Sequence, residues 1–137
     1  MKKGFTLIEL LAVIVVLAVI LVILMPIIGN VISDGEEGAF KTNVSEVMKL
    51  VKIHYQENYG GNLSNNPIIY NISENKIIHN SVDIGLTSNT NDLFGTIEVN
   101  SNGELQVEVK DTTYCATKEF DGNLTIHNLN DDSECSI

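Results

Sequence analysis

The sequence predicts an α+β chain. A long N-terminal helix, apolar through its first half, packs by its second half on a small antiparallel sheet. Three observations carry this. An apolar run fills residues 5–28. Apolar side chains then recur at spacings of three and four from Phe40 to Tyr55. Farther on, Leu105, Val107 and Val109 alternate with Gln106, Glu108 and Lys110.

The run from Phe5 to Ile28 holds 24 residues and one charge, Glu9. As a helix it would span about 36 Å, against about 30 Å for the hydrocarbon core of a bilayer. About a hundred remaining residues cannot surround a helix that is apolar on every face. The segment is therefore read as membrane-spanning. Lys2 and Lys3 precede it, and Asp34, Glu36 and Glu37 follow it. That asymmetry leaves the N-terminus in the cytoplasm and exports the rest. An ordinary cleaved signal has a shorter apolar region closed by a small-x-small site. Met25-Pro26-Ile27-Ile28 offers no such site. Glu9 also needs a reason, because a carboxylate in hydrocarbon costs up to about 3 kcal/mol. One simple partner would be a newly made N-terminal amine close by in space.

Lys2-Lys3-Gly4-Phe5-Thr6-Leu7-Ile8-Glu9 resembles the prepilin signature of type IV pilins and pseudopilins. The resemblance covers residues 1–32. It implies cleavage between Gly4 and Phe5 by a prepilin peptidase, with N-methylation of Phe5. It implies that Glu9 pairs with the Phe5 amine of an adjacent subunit during assembly. Pro26 matches a proline common in the family, before which the helix is often unwound in filaments. Ala18–Pro26 is the corresponding stretch here.

The expected organisation follows. Residues 1–4 are a leader. Residues 5–32 are the membrane-spanning and filament-core helix, and 33–137 are a globular head in the pilin fold. In the head, an amphipathic helix runs to about 58, a loop to 92 and an antiparallel sheet from 93 to 128. Ser33-Asp34-Gly35-Glu36 reads either as a capping box or as the interior of one continuous helix. Phe40, Val44, Val47, Met48, Val51 and Tyr55 form the face for the sheet. Leu50 and Ile53 lie off it and suit contacts with neighbouring subunits. Glu37 and Lys41 form a helical i,i+4 pair. Gly60 or Gly61 suits a left-handed helix cap. Residues 62–92 are rich in asparagine and serine and receive no detailed assignment.

Strands are expected at Phe94–Val99, Leu105–Lys110, Tyr114–Phe120 and Leu124–His127. Turns fall at Asn100–Gly103, Asp111–Thr113 and Asp121–Asn123, the first marked by Asn-Gly. Cys115 and Cys135 are the only cysteines. An even count in an exported domain points to a disulfide, and the alternative is two thiols. The bond would close a loop of about twenty residues, worth roughly 3 kcal/mol. It would resemble the disulfide-bounded C-terminal loop of many pilins.

Catalytic constellations are missing from the sequence. His54, His79 and His127 lie far apart without metal-ligand spacing, and each reads as a surface or satisfied histidine. No phosphate loop or nucleophile elbow occurs. Asp131, Asp132 and Glu134 lack the twelve-residue calcium pattern. No enzyme activity, cofactor or metal is expected. The formal net charge is −10 and arginine is absent; direct nucleic-acid binding needs clustered cations. The resemblance implies a structural subunit of a type IV pilus serving adhesion, motility or biofilm. A pseudopilin of type II secretion or DNA uptake is the alternative. An ordinary single-pass surface protein is the reading from a different class. The implied partners are further copies of the chain, the prepilin peptidase, a membrane assembly platform and, before assembly, lipid.

Overall fold

A computed structural model describes residues 4–60, 67–73, 76–85 and 93–130. The element order is one helix followed by seven strands. Helix α1 is Leu7–Tyr59. The strands are β1 Ile68–Ser73, β2 Lys76–His79, β3 Val82–Asp83, β4 Phe94–Val99, β5 Leu105–Lys110, β6 Tyr114–Lys118 and β7 Thr125–Asn128. The chain divides into two compact units, Met1–Glu36 and Glu37–Ile137.

In the first unit α1 is helical through Ala18–Pro26 and through Ser33–Glu36. The continuous helix is therefore the outcome at Ser33, and the capping box does not form there. Pro26 sits inside the helix. It removes one hydrogen bond, the one to the Val22 carbonyl, without ending the element. The apolar side chains from Leu7 to Ile32 are exposed. This helix is long and apolar enough to cross a membrane.

In the second unit α1 buries Phe40, Val44, Val47, Val51 and Tyr55. Their spacing of three and four puts them on one face. Three of them, Val44, Val47 and Val51, have no exposed surface, each worth about 1.5–3 kcal/mol of burial. They pack with Tyr70, Ile72, Ile77, Ile97, Val99, Val107 and Val109 from the sheet in one core. Phe40 and Tyr114 bring their rings to 5.7 Å. Met48 and Leu50 are partly buried against this core, and Ile53 is exposed.

The sheet is antiparallel throughout, in the order β3-β2-β1-β4-β5-β6-β7. It is larger than the four strands expected. The segment read as a loop between 59 and 92 contains β1, β2 and β3, so the sheet begins at Ile68 rather than at 93. Tyr70, Ile72 and Ile77 alternate inward there, while Ile69, Asn71 and Lys76 are exposed and Asn80-Ser81 make a turn. The β2–β3 turn is Asn80-Ser81, with both φ angles positive at 49° and 65°. Those angles are the type I′ pattern for a two-residue hairpin.

The four later strands lie close to their expected ranges. β6 stops at Lys118, because the Gly122 N–H donates to the Glu119 carbonyl and turns the chain early. The Lys118 ammonium donates to the carbonyls of Leu105, Glu119 and Phe120 at 2.9–3.1 Å, using all three of its protons. In the β4–β5 hairpin only Gly103 has positive φ. The expected hairpin turn is thus a three-residue loop with a glycine bulge. The Asn100 carboxamide holds it, accepting from the N–H groups of Asn102 and Glu104. Gly60 does not have positive φ. A Cβ there would lie 2.5 Å from the Gln56 carbonyl oxygen, so close approach selects glycine at that position. Gly61 lies outside the described residues.

Candidate functional site

Thr6 stands immediately before the first helical residue, Leu7, and Glu9 is the third residue in. The spacing Thr-x-x-Glu is a capping box, and the geometry forms it. The Thr6 N–H and hydroxyl each donate to Glu9 Oε2 at 2.8 Å. The Glu9 N–H points back to Thr6 Oγ1 at 3.4 Å. The Leu10 N–H donates to the Thr6 carbonyl at 3.3 Å. Both donors thus converge on one carboxylate oxygen. Among the described residues Glu9 Oε1 takes no hydrogen bond. The same spacing marks this box in the sequence as marks the one at Ser33. A box forms where a helix starts, and Ser33 lies inside one.

Gly4 and Phe5 precede the cap. The Phe5 side chain is 87% exposed. A Cβ built on Gly4 meets nothing within 4 Å. The peptide between them is therefore open to an external enzyme, and this chain itself places no demand for glycine at position 4. Pro26 lies well along the same helix and makes no contact with this segment. Lys2 and Lys3 lie outside the described residues.

The head places Cys115 on β6 with no exposed surface. It pairs in register with Lys110 on one side and His127 on the other. Its neighbours Tyr114 and Ala116 face the core, so strand alternation puts Cys115 on the opposite face of the sheet. Cys135, Asp131, Asp132 and Glu134 lie outside the described residues. Among the described residues no group of three or more metal-ligating side chains converges.

His54 and His79 have partners, as expected of satisfied histidines, but they are not far apart in space. His54 and His79, separated by 25 residues in sequence, bring their rings to 6.2 Å. His54 Nδ1 lies 3.1 Å from the Tyr70 hydroxyl. His79 Nδ1 lies 2.9 Å from the Ile69 carbonyl oxygen, which can only accept, so Nδ1 carries the proton. Nε2 lies 2.7 Å from the Tyr59 hydroxyl and 2.9 Å from the Asn80 carboxamide nitrogen. These contacts make both rings parts of a tyrosine–histidine cluster. Topology assembles it, by laying β1 and β2 beside the end of α1, and no local spacing announces it.

Tyr70 is the buried centre of that cluster, and burial pushes its hydroxyl up to about 12, helped by the nearby Tyr59 and Tyr55. An unfolded tyrosine ionises near 10. The folded state therefore favours the protonated phenol. The resulting stability is whole below pH 10 and is lost as pH rises toward 12. The full chain in detergent is expected to unfold cooperatively in that window, with tyrosinate absorbance rising at the same pH as circular dichroism falls. Tyr70→Phe should move the transition to higher pH. An unchanged transition in that variant would place its cause elsewhere.

Residues 1–25 match the prokaryotic N-terminal methylation motif. No curated protein and no solved structure matches the chain. The motif and the apolar helix fit a membrane-anchored precursor of a filament subunit, and they point to a structural role rather than to an enzyme.

Proposed function

We propose that this chain, whose first 25 residues carry the type IV prepilin signature, is a structural subunit of a type IV pilus. The precursor sits in the membrane with Lys2 and Lys3 on the cytoplasmic side and the head exported. Prepilin peptidase cuts between Gly4 and Phe5 and methylates the Phe5 amine. An assembly platform then draws the subunit from lipid into a surface filament for adhesion, motility or biofilm. The observation that carries this reading is Glu9, a carboxylate at the head of a helix left bare from Leu7 to Ile32. Inside a filament those bare helices cover one another. Glu9 Oε2 stays on its own cap while Oε1 receives the Phe5 ammonium of a neighbour. A buried charge of either sign needs such a partner.

The Cys115–Cys135 disulfide belongs to the same proposal. Cys115 is wholly buried on the sheet face turned away from α1, as a cysteine covered by its bonded partner would be. A C-terminal loop tied there favours a pilus subunit over a pseudopilin.

The test is the intact mass and N-terminal sequence of the chain taken from membranes that contain prepilin peptidase. The expected product begins at N-methylated Phe5 and is two hydrogens lighter than the dithiol. Gly4→Val should stay full-length. Because a side chain at Gly4 meets nothing in this chain, that block would arise in the peptidase. A product beginning at Met1, or one cut beyond Ile28, would overturn the proposal.

A further inference from the structure

Within the head, α1 turns its stripe from Phe40 to Tyr55 toward the sheet and leaves the opposite arc in solvent. At 3.6 residues per turn, Lys41 and Lys52 lie along one flank of that arc, and Glu46 and Glu57 along the other. All four are exposed. Among the described residues the charged ends of these four side chains take part in no ion pair or hydrogen bond, so the expected Glu37–Lys41 pair does not form. Ile53, 43% exposed, lies on the glutamate flank between Glu46 and Glu57.

The two flanks share one spacing. Lys41 to Lys52 is eleven residues, and so is Glu46 to Glu57. Each lysine precedes a glutamate by five residues. Within one helix, residues five apart do not face each other. Between two parallel copies displaced by five residues, about 7.5 Å along the axis, Lys41 comes level with Glu46 and Lys52 with Glu57 together.

We infer that this arc of α1 is an interface with a second copy of the chain, the lysine flank of one against the glutamate flank of the next at that displacement. Two different flanks meet, so the contact is heterologous. With an axial step it continues from copy to copy instead of closing into a dimer. The inference rests on the filament reading above and specifies its register. The proposed Phe5–Glu9 pair asks for a displacement of four residues in the same direction, cation before anion. Ile53 supplies apolar surface to cover. The charges choose the register more than they add strength, as exposed ion pairs do. Lys49, three residues after Glu46, is the competitor within the same chain.

The test uses the full chain expressed with its peptidase and assembly machinery. Lys41→Glu with Lys52→Glu, and separately Glu46→Lys with Glu57→Lys, should each lower filament yield at least tenfold. The variant carrying all four changes should restore it, because opposite charges meet again. Cells expressing both a Lys52→Cys chain and a Glu57→Cys chain should give a cross-linked dimer. A Lys52→Cys chain with a Glu46→Cys chain should give none. Wild-type yield from either double reversal, no recovery in the fourfold variant, or equal cross-linking of both cysteine pairs would overturn the interface. Cleavage before Phe5 is read in the same samples. Its absence in wild type would bring down the filament reading instead.

Discussion

Glu9→Ala is expected to leave membrane insertion and cleavage after Gly4 intact and to abolish filaments. The substitution removes two hydrogen bonds from the Thr6 cap. Loss of a cap costs about 0.5–2 kcal/mol of helix stability, felt at the first turn alone. It also removes the only charge from the apolar run, which eases insertion into lipid. Neither effect acts on the exposed Gly4–Phe5 peptide. Assembly differs, because the Phe5 ammonium of each subunit would enter the packed helices without a counter-charge. Breaking one side of a buried ion pair costs about 3–5 kcal/mol, repeated at every subunit. Glu9→Gln separates the two roles of this side chain. It keeps an acceptor for Thr6 and loses the charge, so it should be processed, helical and still without filaments. Normal filaments in Glu9→Ala would end the pairing role. Normal filaments in Glu9→Gln alone would reduce Glu9 to a cap.

The parts legible in the sequence are those whose signal is local. The stripe from Phe40 to Tyr55 repeats at three and four, and five of its six residues are buried. The alternation from Leu105 to Val109 places all three apolar residues inward. The strands β1 to β3 escaped because only Tyr70, Ile72 and Ile77 carry their inward pattern. Asn71, Ser73 and Asn80, which read as loop residues, sit on the outward side and in a turn closed without glycine. At the candidate site, the fixed order of Gly4, Phe5 and Glu9 carries the resemblance, and it lies within the matched residues 1–25. The Thr6 cap was equally local, but its meaning depended on knowing where the helix starts. The tyrosine–histidine cluster had no local signal. His54 and His79 meet because β1 pairs with β2 and both lie over the end of α1, a long-range consequence of topology.

Gly95→Ala is expected to lower the stability of the folded head by about 4 kcal/mol, although glycine in a strand ordinarily gains from replacement by alanine. Gly95 lies in β4, the strand between β1 and β5, paired with Ile72 on one side and Val109 on the other. Its φ is 145°, a conformation that side chains rarely adopt. A Cβ there would lie 2.0 Å from the Glu108 carbonyl oxygen and 2.8 Å from the Val109 Cα. Both obstacles are backbone, so no rotamer change relieves them. Relief requires β4 to rotate or to part from β5, and either movement disturbs the row in which Ile97 faces Val107. Backbone strain of this kind costs about 1–3 kcal/mol, and overpacking adds about 1–3 more. Against a typical stability of 5–15 kcal/mol, that is a large fraction, and the melting temperature should fall by on the order of 20 °C. Gly35→Ala is the matched control. A Cβ there meets nothing within 4 Å, and alanine should steady α1 by up to about 1 kcal/mol. Thermal melts of both variants in the same detergent decide the matter. Equal melting temperatures would mean that β4 and β5 accommodate the methyl group, and the close approach at Gly95 would lose its structural role.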